Sequence, residues 1–153
     1  MKTVEGKLNS TDKKFAIVFS RFNEFVGEGL LKAANECLIK HNVHHENIEV
    51  VKVPGAFEIP VTADKLASQN KYDAIICLGV IIKGVTSHFE YVSSACSNGI
   101  AQVALKYSIP VIFGVLTTEN IEQAIERAGS KAGNKGWDAA LTAIEMADLF
   151  KSL

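Results

Sequence analysis

A histidine, a threonine and a lysine stand together where a long apolar stretch of the sequence ends. Nine apolar residues, 74–82, are followed directly by the segment KGVTSH, residues 83–88. Backbone amides in a glycine-containing turn, helped by Lys83, can bind phosphate oxygens, and histidine exchanges protons near neutral pH. We therefore interpret residues 83–88 as a phosphate-binding turn beside a proton-transfer group.

His88 is also predicted to begin a helix. Ser87 and Glu90 have the spacing of a capping box, in which the two side chains satisfy each other's free backbone amides. The start of a helix disfavours positive charge, which suits a histidine that both accepts and donates protons. The alternative reading of His88 is an exposed residue next to a helix cap, without a catalytic role.

Alternation of apolar strands and amphipathic helices predicts the fold. Strands covered on both faces are expected at 15–19, 48–53, 74–82 and 110–116. Helical periodicity predicts helices at 26–38, 58–68, 88–107, 119–127 and 136–150. With right-handed crossovers, this order gives a three-layer αβα sandwich whose four-stranded parallel sheet has the flavodoxin-like strand order. We expect an N-terminal arm, 1–12, and one domain, 13–153.

Ligands of such sheets bind beyond the carboxyl ends of the strands. The segments that follow the predicted strands bring two aromatic rings, a carboxylate, a lysine, a threonine and a histidine to that edge: Phe22, Phe57, Glu58, Lys83, Thr86 and His88. Such a set suits a flat, polar, anionic small molecule. For Phe22 and Phe57 the alternative is simple packing in the core.

Composition narrows the class of protein. The chain has 153 residues, 48% of them hydrophobic, and a net charge of −1 without a basic block, so neither nucleic acid nor a membrane is an expected partner. No signal peptide or membrane span is apparent, and a cytoplasmic location is expected.

Cys37, Cys77 and Cys96 are expected to be buried, reduced thiols. The histidines of HNVHHEN, 41–47, lack the spacing of metal ligands, so no metal site is expected.

Four separated motifs resemble those of the lumazine synthase family, and the likeness runs from residue 15 to residue 149. They are SRFNEF, PGAFEIP, GVIIKGVTSHFEYV and PVIFGVLTTENIEQAIERAGSKAGNKGWDAALTAIEMADL. The resemblance implies the penultimate step of riboflavin biosynthesis. In it 5-amino-6-(D-ribitylamino)uracil and 3,4-dihydroxy-2-butanone 4-phosphate give 6,7-dimethyl-8-ribityllumazine, inorganic phosphate and water. No metal or organic cofactor is implied.

The resemblance also implies a role for each residue of the site. His88 would transfer protons, and phosphate would be bound by Val85, Thr86 and Arg127. The pyrimidine ring and ribityl chain would contact Phe22, Ala56, Phe57, Glu58, Val80, Ile81, Ile82, Phe113 and Lys135. Of these residues, Phe113, Arg127 and Lys135 would belong to a neighbouring subunit. Lys83 stands where the family more often has arginine, and Val85 where it has small or acidic residues.

Assembly is the remaining implication of the resemblance. The family's minimal unit is a ring of five subunits with an active site at each interface. The segment GSKAGNKG, 129–136, resembles the compact linker of members whose rings close into an icosahedral shell of sixty, so a pentamer and such a shell are expected. Riboflavin synthase is a candidate enclosed partner. The N-terminal arm is expected to add an edge strand to a neighbour's sheet.

Two other classes of protein stay open on the sequence. A flavodoxin-like binding or signalling module shares the strand order, although a receiver domain needs an acidic cluster at the strand ends, where SRFNEF supplies only Glu24. The second alternative is a purely structural shell protein. The presence of both His88 and Arg127 favours an active enzyme.

Overall fold

Four strands form one parallel sheet at the centre of the protein. The computed structural model describes residues 1–130 and 133–153. In these residues the strands are β1 (Phe15–Ser20), β2 (Ile48–Val53), β3 (Ala74–Ile82) and β4 (Val111–Thr118). All pairs are parallel, and the order across the sheet is β2-β1-β3-β4. The predicted flavodoxin-like sheet is confirmed, with β4 reaching two residues beyond the expected Leu116.

The predicted helices are all found, with small changes at their ends. The described part of the chain contains α1 (Glu24–Lys40), α2 (Ile59–Ala67), α3 (His88–Tyr107), α4 (Ile121–Arg127) and α5 (Lys135–Ser152). Two short 3₁₀ helices, His45–Asn47 and Ala56–Glu58, precede β2 and α2. The predicted compact linker, 129–136, includes Lys131 and Ala132, which lie outside the described residues.

The sheet separates two apolar cores, which gives the three layers. Because successive residues of a strand face opposite sides, Phe15, Ile17 and Phe19 pack with α1 and α5, and Ala124 of α4 joins this cluster. Ala16 of the same strand packs with α2 and α3 on the other side. The αβα sandwich expected from the sequence is confirmed.

The edge strands are less covered than the sequence predicts. β1 is buried along its whole length, whereas β2 exposes Glu49, Val50 and Lys52, and β4 exposes Phe113 and Thr117. The expectation that every strand would be covered on both faces was therefore wrong for β2 and β4. The strand order explains the difference, because it puts these two strands at the ends of the sheet, where a single chain offers them fewer neighbours.

The N-terminal residues contact the last helix of their own chain. The Lys7 amide donates a hydrogen bond of 2.9 Å to the Asp148 carboxylate. The buried Lys13 ammonium lies 3.3 Å from the same carboxylate. Gly6 approaches α5 so closely that a Cβ there would lie 2.2 Å from the Glu145 carbonyl oxygen. Residues 1–14 form no strand within this chain, and the strand expected in a neighbour's sheet stays a prediction.

The cysteines match their expected state. Cys37, Cys77 and Cys96 are free and buried. Burial raises the pKa of the Cys37 thiol to about 11, with a further contribution from the negative charge of Asp138. Burial also raises the pKa of Cys96 to about 11 and shifts that of Cys77 in the same direction.

Among the described helices, none has the length and apolar character needed to span a membrane.

Candidate active site

A gap opens at the carboxyl edge of the sheet because β1 and β3 part there. Their pairing stops at Phe19 and Leu78, while β3 continues beside β4 as far as Ile82. Beyond β1 the chain turns towards β2, since the Arg21 amide donates to the Val53 carbonyl at 2.9 Å. The next amide, that of Phe22, donates to the Pro54 carbonyl at 3.1 Å. On the side away from β4, Val80, Ile81 and Ile82 therefore line an open space instead of pairing with a neighbouring strand.

A cavity of about 600 Å³ fills this gap. Its volume is in the range that binds small organic ligands. The cavity brings together nine residues for which the sequence predicts a site role: Phe22, Ala56, Phe57, Glu58, Val80, Ile81, Ile82, Thr86 and His88. This arrangement agrees with the prediction that the ligand site lies at the carboxyl ends of the strands.

Two phenylalanine rings at the cavity are exposed. Phe22 is 70% exposed and Phe57 is 63% exposed. Their alternative interpretation as core residues is excluded, because core phenylalanines are buried. Exposed aromatic faces beside the apolar end of β3 suit stacking on a flat ring.

The 3₁₀ helix Ala56–Glu58 positions one wall of the cavity. The Glu58 amide donates to the Gly55 carbonyl at 3.2 Å, which closes the turn before α2 begins. Pro60 follows in the first turn of α2, where its missing amide costs no helical hydrogen bond. The turn buries Ala56 and leaves Phe57 exposed with Glu58 half-buried at the cavity.

In the turn between β3 and α3, Lys83 has an ion partner that the sequence did not predict. The Lys83 ammonium lies 3.5 Å from the Glu119 carboxylate, and its amide donates to the Thr118 carbonyl. In this chain the ammonium thus pairs with the segment after β4, and the expected contribution of Lys83 to the phosphate turn stays a prediction. Gly84 and Thr86 line the cavity, whereas the Val85 side chain is fully exposed. Only the backbone amide of Val85 would therefore bind phosphate.

Helix α3 begins at His88, as predicted, but the expected capping box is wrong. The Ser87 side chain makes no cap hydrogen bond, since its backbone (φ −71°, ψ 0°) lacks the extended conformation usual at an N-cap. Instead, the Thr86 hydroxyl accepts from the His88 amide at 3.4 Å. The Ser87 carbonyl accepts from the Glu90 amide at 3.0 Å. His88 remains exposed at the rim of the cavity.

Some residues that line the cavity were not predicted from the sequence. They are Asn23, Gly55, Phe89, Tyr91 and Val92. Tyr91 had a usable signal, because it follows His88 by three residues and so shares its helix face. The signal at Asn23 was weaker: asparagine tolerates the left-handed backbone conformation that a turn between a strand and a helix often needs.

Three predicted site residues lie elsewhere in the chain. A second cavity of about 580 Å³ is lined by residues of β4, α4 and α5, including Phe113, Arg127 and Lys135. It shares no lining residue with the first cavity. The Arg127 guanidinium donates to the Gln123 carbonyl at 3.2 Å, and the Lys135 ammonium lies 3.4 Å from Asp138. Within one chain, the predicted site residues therefore form two separate groups.

Fold and cavity together define an α/β protein that binds a small molecule at the carboxyl edge of a parallel sheet. The model of the 6,7-dimethyl-8-ribityllumazine synthase family matches residues 12–151. A relative from Chloroherpeton thalassium, named 6,7-dimethyl-8-ribityllumazine synthase, is 55% identical over 153 residues, which cover all of this chain and 99% of the relative. The chain belongs to the 6,7-dimethyl-8-ribityllumazine synthase family, as its motifs indicate.

Proposed function

We propose that this protein condenses 5-amino-6-(D-ribitylamino)uracil with 3,4-dihydroxy-2-butanone 4-phosphate. The products are 6,7-dimethyl-8-ribityllumazine, inorganic phosphate and water, in the penultimate step of riboflavin biosynthesis. The observation that carries the proposal is the cavity in which Phe22, the end of β3 and His88 meet, in a chain of this family. The enzyme works in the cytoplasm.

Every step of the reaction moves protons. The amine of the uracil adds to the ketone and loses water to form an imine. Elimination of phosphate leaves an enol, whose tautomerisation turns the former C3 alcohol into a carbonyl. The ribityl-bearing nitrogen adds to this carbonyl, and loss of a second water completes the ring. His88 accepts and returns protons during these steps, from its exposed position at the start of α3. Holding both substrates in one cavity supplies much of the acceleration, because a reaction between two molecules then proceeds within one complex.

The pyrimidine and the ribityl chain bind on the side of β1 and β3. The exposed Phe22 ring stacks on the pyrimidine. Backbone groups of Val80, Ile81 and Ile82 bind the ring edge, since β1 no longer pairs with β3 beside them. Residues 56–58 hold the ribityl chain and the remaining ring edge through their turn and the Glu58 carboxylate.

Phosphate binds between the turn after β3 and a neighbouring subunit. The Thr86 hydroxyl and the amides around Val85 offer hydrogen-bond donors in an exposed turn. The guanidinium of a neighbour's Arg127 adds a bidentate, charge-assisted contact. Phe113 and Lys135 accompany that arginine in the second cavity and complete the site from the same neighbour.

The active unit is a homo-oligomeric ring of five, and its rings close into an icosahedral shell of sixty. The two cavities support this assembly, because each exposes half of the implied site and neither contains the other half. The domain, 13–153, forms the ring, and the N-terminal arm, 1–12, adds a strand to a neighbour's sheet. Riboflavin synthase is the candidate protein enclosed by the shell.

The function is tested with the purified protein and both substrates. Formation of 6,7-dimethyl-8-ribityllumazine is followed by its fluorescence, and one substrate is omitted in each control. We expect product at a rate well above the uncatalysed condensation. An assembled protein that does not exceed the uncatalysed rate would instead favour the purely structural shell.

A further inference from the structure

Asn23 connects the two sides of the gap in which the cavity lies. Its side-chain amide donates to the Val80 carbonyl at 3.0 Å. In the part of the chain that the structure describes, this is the hydrogen bond that joins residues 21–23 to the end of β3 after the two strands part. Without it, the Val80 carbonyl would face the gap with no partner from the side of β1.

The backbone of Asn23 leaves its side chain free for this contact. Asn23 has the left-handed conformation (φ 60°, ψ 37°), and its side chain makes no cap hydrogen bond to α1. Its carbonyl instead accepts from the Val26 and Gly27 amides, at 3.1 Å and 3.0 Å, and so starts the helix. One residue thus ends the segment that carries Phe22, begins α1 and reaches across to β3.

The distance across the gap decides what the cavity can hold. Phe22 is held on the β2 side by its amide and is followed directly by Asn23. Val80, Ile81 and Ile82 form the opposite wall. A flat ring that stacks on Phe22 and bonds to the edge of β3 needs both walls at fixed separation, and hydrogen-bond geometry tolerates little deviation.

We propose that Asn23 is a positioning residue for the pyrimidine substrate: through its bond to Val80 it sets the separation between the Phe22 ring and the end of β3. This inference rests on the proposed function. It concerns the aminouracil half of the reaction only, because among the described residues no hydrogen bond links Asn23 to Thr86 or Arg127, two residues proposed for phosphate.

Two substitutions of Asn23 test the proposal. Asn23→Gly keeps the left-handed backbone and removes the amide. Asn23→Asp keeps the size of the side chain and replaces the donor by an acceptor that the Val80 carbonyl repels. We expect both variants to raise the KM for the aminouracil about five- to thirtyfold, while the KM for the ketone phosphate stays within about twofold. Asn70→Gly is the matched control, since Asn70 is also left-handed (φ 51°) but lies outside the cavity.

A double-mutant cycle separates positioning from direct contact with the substrate. If Asn23 acts by placing Phe22, Asn23→Gly should raise the KM for the aminouracil much less in a Phe22→Ala background than in the wild type. Equal effects in the two backgrounds, unchanged KM values, or equal increases for both substrates would overturn the positioning role. A wild-type protein that forms no product would instead overturn the proposed function, so the two failures are distinguishable.

Discussion

His88 is the residue that we propose transfers protons in the reaction. We expect His88→Ala to slow turnover by about ten- to a thousandfold, the smaller loss applying if positioning of the substrates dominates. The fold should persist because the side chain is exposed. The measurement is kcat at saturating concentrations of both substrates, and His45→Ala, an exposed histidine of the 3₁₀ helix before β2, is the matched control. A His88→Ala variant with the wild-type kcat would contradict the proton-transfer role.

Arg127 should affect a different kinetic constant. Arg127→Ala removes the proposed charge-assisted contact to phosphate, so the KM for 3,4-dihydroxy-2-butanone 4-phosphate should rise about tenfold or more. Arg127→Lys should fall between this variant and the wild type, because lysine keeps the charge but lacks the planar fork. Inorganic phosphate should compete with the ketone phosphate in the wild type. An increase in the KM for the aminouracil alone would reverse the assignment of the two halves.

Individual residues were predictable where a local rule applied. The rule that ligands bind at strand ends brought Phe57, Glu58, Thr86 and His88 to one edge, and the cavity contains all of them. No pattern within the sequence links Arg127 to that edge, since it lies in the second cavity of the same chain. Only the resemblance to the family suggested its role. For Lys83, the place in the turn was predictable from the sequence, but the ion partner, Glu119, was not.

Among the helices, α1 and α5 pack closely because Gly136 of α5 has no side chain. A Cβ at Gly136 would lie 2.1 Å from the Leu30 carbonyl oxygen, and this backbone atom cannot move without shifting α1. We expect Gly136→Ala to lower the free energy of unfolding by about 1–3 kcal/mol. The thermal midpoint is compared at matched protein concentration. Gly84→Ala is the control, because a Cβ there meets no atom within 4 Å. Equal midpoints for the two variants would contradict the close approach.

The contact between the N-terminal residues and α5 should depend on acid. The Lys7 amide and the Lys13 ammonium hold the pKa of Asp148 below its usual value of 3.8. Since the folded pKa is depressed, the stabilisation is present above that usual value and is lost as the pH falls through the folded pKa. Asp148→Asn should therefore lower the thermal midpoint at pH 7 and reduce the further loss that the wild type shows as the pH falls below about 4.

A control for this prediction uses another carboxylate near the N-terminus. Asp12 is exposed and forms no ion pair within the described residues, so Asp12→Asn should leave the dependence on pH as it is in the wild type. If Asp148→Asn and the wild type lost the same stability on acidification, the Asp148 contact would not contribute to it.

Elements were easier to predict than their surroundings. The apolar run of β3 and the helical period of α3 are local properties, and both elements begin at the expected residues. The exposure of β2 depends on the order of strands, which is decided by contacts between distant residues. The predicted capping box is absent for a similar reason: the backbone conformation of Ser87 is decided by the preceding turn and not by the local sequence pattern.

The proposed assembly makes a prediction about the whole molecule. A Phe22→Ala/His88→Ala protein lacks one half of the site, and an Arg127→Ala protein lacks the other. Each should be nearly inactive alone when ketone phosphate is limiting. Co-refolded in equal amounts, they should recover roughly a quarter of the wild-type activity, because random placement around a heterologous ring brings two intact halves together with that frequency. No recovery in rings shown to be mixed would mean that each site lies within one chain.

The buried cysteines give the molecule a practical property. Thiolates are the nucleophiles that maleimides and disulfide reagents attack, and the three native thiols are buried, with raised pKa values. The folded protein should therefore be almost inert to such reagents at neutral pH. A single cysteine introduced on the surface would then be the one site that takes a fluorophore or spin label. Subunit exchange and the path of the N-terminal arm could be followed by energy transfer without first removing any native cysteine.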